Sequence, residues 1–147
     1  MKFDNYMILE FPSKSANEAF ARSAVSCFAA QMDPTIEELG DIRTAVSEAV
    51  TNCIVHAYAD RNEKDKIVID CFTENTENGG VLHIGVEDFG KGIEDVEQAL
   101  SPFFTTLENE ERSGMGFTIM QTFMTEFSVK SEPKKGTRIE MKKKIGA

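Results

Sequence analysis

Tryptophan is absent from the chain, cysteine occurs three times and proline four times. Cys27, Cys53 and Cys71 are odd in number and widely spaced inside apolar runs, a pattern that excludes a disulfide framework or zinc knuckle and predicts reduced core residues. No apolar stretch approaches the length of a membrane-crossing helix, and the start MKFDNYMILEF lacks the basic region and small-residue cleavage site of a signal peptide. The expected location is therefore the cytoplasm, with no membrane partner. Basic residues are also scarce: 16 Lys and Arg against 25 Asp and Glu leave a net charge of −9, which opposes attraction to phosphate backbones. A direct nucleic-acid partner is not expected. What the chain does have is 41% hydrophobic and 28% charged residues over 147 positions, which excludes disorder and suits one domain spanning 1–147.

Alternation of Met7, Leu9 and Phe11 with Ile8 and Glu10 predicts a first strand over 6–11. Ser15-Ala-Asn-Glu18 has capping-box spacing, and Ala16, Phe20, Ala24, Cys27 and Phe28 follow at helical intervals, predicting a helix to about Met32. Asp33-Pro34 then breaks the pattern, Pro34 suiting the first turn of a second, long helix with its stripe of Ile42, Val46, Ala49, Val50, Cys53 and Ala57. Strands over 66–72 and 81–87 flank Glu77-Asn-Gly-Gly80 as an antiparallel hairpin. A helix over 116–127 and strands over 128–131 and 137–143, joined by Pro133-Lys-Lys-Gly136, complete the chain. The expected fold is α/β, a two-layer sandwich of a mixed, mostly antiparallel sheet with helices on one face. The Phe and Met residues of 117–127 and His83 read as structural, and Lys142-Lys143-Lys144 as a solvated end.

Residues 88–116 lose periodicity and collect Gly, Thr, Ser and charge, and a loop of that length inside a compact domain is usually functional. Three features flank or fill it. On the long helix, Glu48, Asn52 and His56 share a flank, because residues four apart differ by roughly 40°. The carboxylate of Glu48 suits a general base, and the amide of Asn52 suits Mg²⁺, which keeps waters and phosphates as its other ligands. Asp88-Phe-Gly90-Lys-Gly92 ends a strand; a carboxylate there can accept the exocyclic amine of adenine while the glycines admit a planar ligand. Ser113-Gly114-Met115-Gly116 opens a helix, where unfilled backbone N–H groups attract phosphate. Taken singly, these read first as a solvated helix flank, a turn and a flexible helix start.

In this order, E-x-x-x-N, D-x-G-x-G and G-x-G together resemble the nucleotide-binding domain shared by DNA gyrase B, the ninety-kilodalton heat-shock chaperone, histidine kinases and MutL proteins. Within that family, Ser47 to Asn52, Pro102 to Thr106 and Ser113 to Met124 are similar to the bacterial anti-sigma factors that are also serine kinases. The resemblance implies ATP/ADP and Mg²⁺ as cofactors, with an ATP lid at about 93–113. It assigns Glu48 to the acceptor serine and Asn52 to Mg²⁺. Asp88, with Thr137 assisting, would recognise adenine, while Gly90 and Gly92 allow close approach. Thr105, Thr106, Ser113, Gly114, Met115 and Gly116 would line the nucleotide, and Arg112 would approach the γ-phosphate. Glu18 and Arg22 would contact partners. Those partners would be a sporulation sigma factor, an anti-anti-sigma protein as the phosphorylation substrate, and a second copy in a homodimer. A switch kinase for the general stress sigma factor and a non-catalytic binding module remain as alternatives.

Overall fold

Along β1 (Asn5–Pro12), Met7, Leu9 and Phe11 face inward while Tyr6, Ile8 and Glu10 face solvent, the two-residue period of a half-buried strand. The computed structural model describes residues 4–57, 65–77, 79–100 and 116–146. β1 pairs with β2 (Lys66–Thr76), β2 with β3 (Gly79–Asp88), β3 with β5 (Gly136–Ile145), and β5 with β4 (Glu126–Glu132). The sheet order is β1-β2-β3-β5-β4, and every one of these ladders is antiparallel. The expected two-layer α/β architecture is present, with no parallel pair among the described strands.

Helices α1 (Ala16–Ala29), α2 (Ile36–Asn52) and α4 (Gly116–Phe123) belong to the opposing layer. The helical period of α2 buries Ile42, Ala45, Val46, Ala49 and Val50 in one cluster with Ile67, Ile69, Leu82, Val86 and Ile139 of the sheet. Fully burying a side chain such as Ile42 contributes about 1.5–3 kcal/mol, so this stripe holds α2 against the sheet.

The local signals divide differently from expectation. Ser15 makes no side-chain cap: its own backbone is helical (φ −54°, ψ −36°), Glu18 N donates to the Ser15 carbonyl at 3.2 Å, and the Glu18 carboxylate accepts from Ser47 Oγ at 3.0 Å. The capping box lies at α2, where Thr35 Oγ1 accepts from Glu38 N at 3.0 Å and Thr35 N donates to Glu38 Oε1 at 2.8 Å. Pro34 thus sits just outside the helix rather than in its first turn. The helix beginning at Gly116 ends at Phe123, short of 127: the Phe123 carbonyl accepts from Lys143 Nζ at 2.6 Å, and Thr125 N already donates to Lys142 O at 2.8 Å. Phe127 therefore belongs to β4, opposite Met141. Lys143 is no solvated end either, since its ammonium also donates to Asp41 at 2.9 Å. Within the segment expected to lack structure, Asp95 caps a single helical turn, α3 (Val96–Ala99), through Gln98 N at 3.0 Å. Cys27 is exposed, whereas Cys53 and Cys71 are buried.

The sheet's other face carries charge. Arg138 reaches from β5 across Gly85 to Asp70 with two parallel bonds of 2.8 and 3.0 Å, and it also bonds Glu87 at 3.2 Å and Glu140 at 3.0 Å. A Cβ at Gly85 would fall 2.7 Å from the guanidinium carbon, so the glycine is the notch through which Arg138 passes. Arg138, then Lys130, holds the Glu140 carboxyl below the usual carboxylate range.

Candidate active site

Asp88 is the last residue of β3, with neighbours on both sides: Ile67 on β2 and Thr137 on β5. It is 4% exposed, which is unusual for a carboxylate with no cationic partner among the described residues. Backbone and thiol donors hold it there. Gly90 N donates to Asp88 Oδ1 at 3.0 Å, the Cys53 thiol hydrogen-bonds the carboxylate, and the Thr137 backbone adds a third donor. Burial pushes Asp88 above its ordinary value, and these three donors pull it back. Cys53 in turn is pushed well up by burial and by the Asp88 charge, so its proton stays on sulfur. Two carboxylate oxygens offer about four acceptor positions, so three donors leave roughly one for a ligand amine.

A second layer holds Thr137. Ser131 Oγ accepts from Ile93 N at 2.7 Å, donates to Gly136 O at 3.0 Å and lies 2.8 Å from Thr137 Oγ1. Because the Ser131 proton goes to the Gly136 carbonyl, Thr137 donates to Ser131 and keeps its own lone pairs for a ligand donor. Gly92 and Gly136 take positive φ values of 74° and 119°. A Cβ at Gly92 would collide with the Glu132 carbonyl, and one at Gly136 with the Asp88 carbonyl. These two glycines let the chain beyond Asp88 lie against the β4–β5 turn, where Lys134 N donates to Lys91 O at 2.6 Å. The missing side chain of Gly92 is thus used by the chain itself, and Gly90 has no positive φ.

On α2, Glu48 and Asn52 are half-buried, one turn apart. The α-helix ends at Asn52 and continues as a π-helical turn, Cys53–Ala57, so the α-helical spacing that would align His56 with Asn52 no longer applies. π-Turns often mark functional positions. Here the turn carries Cys53 to Asp88, and this contact joins the Asn52 end of the helix directly to the end of β3. Toward its N-terminus, the same flank of α2 opens as a groove of about 330 Å³, lined by Arg22, Gly40, Arg43, Thr44, Ser47 and Glu48. Glu18 ties α1 to this wall by accepting from Ser47 and pairing with Arg22 at 3.6 Å. Glu48 therefore stands at the end of the groove nearer Asn52 and Asp88, and Arg22 shares that groove.

Another depression, of about 260 Å³, lies on the opposite face of the sheet over Asp70 and Arg138, whose charges already pair with each other. Of the residues singled out in the sequence, Glu18, Arg22, Glu48, Asn52, Asp88, Gly90, Gly92, Gly116 and Thr137 are described, Gly116 as the buried first residue of α4. Thr105, Thr106, Arg112, Ser113, Gly114 and Met115 lie outside the described residues, as does most of the expected lid. Among the described residues, no three His, Cys, Asp or Glu side chains gather to hold a metal ion. A lone amide such as Asn52 fits a Mg²⁺ that takes most of its ligands from phosphates and water. Cys53 and Ser131 read in the sequence only as a core residue and a strand end, and Gly136 as the last residue of the turn before Thr137.

A strand-end carboxylate beside a glycine turn, joined to a helix bearing an acid and an amide, defines a nucleotide-binding domain of the histidine kinase-like ATPase class, and that family's profile matches residues 11–143. The chain is 56% identical, over 100% of its length and 99% of the relative's, to the anti-sigma F factor of Thermoanaerobacter sp. strain X514. It is 58% identical to that of Caldanaerobacter subterraneus subsp. tengcongensis, covering 99% of this chain and 98% of the relative. The chain belongs to the anti-sigma F factor family. In fold it is also similar to the solved RsbU and RsbW domains of Rv1364c from Mycobacterium tuberculosis, with a TM-score of 0.68 at 16% identity. That match covers 98% of this chain and 33% of the larger one. No helix among the described residues is long and apolar enough to cross a membrane.

Proposed function

We propose that this chain binds and inhibits a sigma factor of the F type and, with ATP, phosphorylates a serine of the anti-anti-sigma protein that opposes it. The observation that carries the reading is the placement of Glu48, which lines the same groove as Arg22 on a helix whose end touches Asp88. Adenine is held by Asp88, with its one remaining acceptor position, and by Thr137. Asn52 is the residue that would hold Mg²⁺; the ion, when bound, offsets the charge of the phosphates.

The acceptor serine enters from the groove side. Its hydroxyl proton passes to the Glu48 carboxylate as the serine oxygen bonds the γ-phosphorus. The bond from that phosphorus to the bridging oxygen breaks, and its electron pair leaves on ADP. Such transfers depend chiefly on positioning and charge stabilisation, and Glu48 supplies the first. Arg112 is assigned to the γ-phosphate, and Thr105, Thr106, Ser113, Gly114, Met115 and Gly116 to the phosphates and lid. Glu18 and Arg22 form the partner-facing surface, presented by a cytoplasmic homodimer whose single domain spans 1–147.

The test is incubation with Mg-ATP and a candidate anti-anti-sigma protein, followed by mass measurement of both chains. A phosphate gained by the acceptor and mapped to a serine is expected. An acceptor of unchanged mass, with ATP still bound by the chain, would leave only a nucleotide-dependent binding module.

A further inference from the structure

Five residues of α2, Gly40, Arg43, Thr44, Ser47 and Glu48, recur at three- and four-residue steps and so form one stripe along the groove. Gly40 is the anomaly. A glycine inside a helix costs about 0.5–1 kcal/mol relative to alanine, and it is tolerated where packing or a left-handed backbone requires it. Neither applies: a Cβ at Gly40 would meet nothing within 4 Å, and Gly40 is not among the residues with positive φ. What the glycine does is leave the floor of the groove bare. Above it, Arg43 donates to the Ser26 hydroxyl at 3.3 Å and has no carboxylate partner among the described residues. Arg22 pairs with Glu18 only at 3.6 Å, and its Nε is buried without a hydrogen bond. In a chain of net charge −9, Arg43, with donors left over, and Arg22, whose charge is shared with Glu18, both line the groove that ends at Glu48.

We infer that this groove seats an extended acidic segment carrying the acceptor serine, with Gly40 admitting its backbone against α2 and Arg43 pairing with one of its carboxylates. The inference rests on the kinase reading and adds the substrate's local chemistry to it. Arg43 precedes Glu48 by five residues, about 7.5 Å along the helix and about 140° around it, and an extended chain covers the resulting separation of roughly 10–12 Å in about three to four residues. The paired acid therefore lies about three to four positions from the serine that reaches Glu48.

The experiment measures phosphate transfer from Mg-ATP to the anti-anti-sigma protein by the native chain, Arg43→Glu, Arg43→Lys and Gly40→Gln, with ATP affinity and melting temperature recorded for each. Arg43→Glu is expected to raise KM for the acceptor about tenfold, with the effect on KM rather than kcat and with ATP affinity unchanged. Arg43→Lys retains most of the affinity. Gly40→Gln raises KM by filling the floor, while the fold stays intact because the added side chain is exposed. Replacing the acid near the acceptor serine with lysine restores transfer by Arg43→Glu. Native KM values for Arg43→Glu and Gly40→Gln would overturn the groove assignment while leaving the kinase reading standing, as would an acceptor serine with no Asp or Glu within about five positions. No transfer by the native chain would overturn both.

Discussion

The strand-end site around Asp88 and the groove along α2 differ in how far each is finished. At Asp88 the carboxylate is buried, three donors already hold it, and the neighbouring glycines are spent on packing chain against chain. In the groove the floor is bare and, among the described residues, Arg43 has only a hydroxyl for a partner. A small rigid base gains most from groups fixed before it arrives, because binding then orders little else. A protein segment brings its own charges and backbone, so the surface that receives it is left incomplete. The two regions meet through α2, one at each end of the Glu48–Asn52 turn.

The sharpest way to separate the regions is Glu48→Gln. It should lower phosphate transfer by about 10²–10⁴-fold, the usual contribution of a general base, with ATP titration unchanged. Native transfer would remove Glu48 from its role. Next is Asp88→Asn, which takes away the charged acceptor of a buried hydrogen bond worth about 1.5–3 kcal/mol, so ATP affinity should fall roughly 10- to 150-fold by calorimetry. Acid should mimic this change. Because burial raises Asp88 above its ordinary 3.8, ATP affinity of the native chain should start to fall at a higher pH than for an exposed aspartate. For the nucleotide-free chain the sign reverses: the ionised buried carboxylate costs stability at neutral pH, and that cost is relieved as the pH falls through its raised value.

Arg22→Glu should weaken capture of the sigma factor about tenfold and leave ATP binding intact; equal capture would detach α1 from the partner surface. The smallest effect is expected at Cys53. Cys53→Ala removes one of three donors to Asp88 and should weaken ATP binding by about tenfold or less, while Cys53→Ser restores a donor and most of the affinity. Equal weakening by both variants would make Cys53 a packing residue only.

Periodicity made the sheet and α2 legible, because buried strands and a buried helix stripe leave their period in the residues themselves. Asp88, Glu48 and Asn52 were legible as a joint motif, each being commonplace alone. Contacts between distant segments were less so. Cys53 lies in an apolar stripe and reads as packing; only the π-turn brings its thiol to a carboxylate 35 positions away. Ser15 and Thr35 each precede a glutamate at the same spacing, yet tertiary structure diverts Glu18 to Ser47 and leaves Glu38 to complete its cap. Lys143 looks like one of three surface lysines until β5 carries it beside Asp41 and the end of α4. Gly40 does not stand out in the sequence; its open surface is seen only in the structure, beside Arg43 and Arg22.

The most direct measurement is a structure of the chain with a non-hydrolysable ATP analogue and the anti-anti-sigma protein bound together. The account predicts the acceptor serine hydroxyl about 2.6–3.2 Å from the Glu48 carboxylate, its segment lying along Gly40 and Arg43 and the adenine amine on Asp88. A serine seated on another face of the molecule, or a nucleotide base turned away from Asp88, would contradict it.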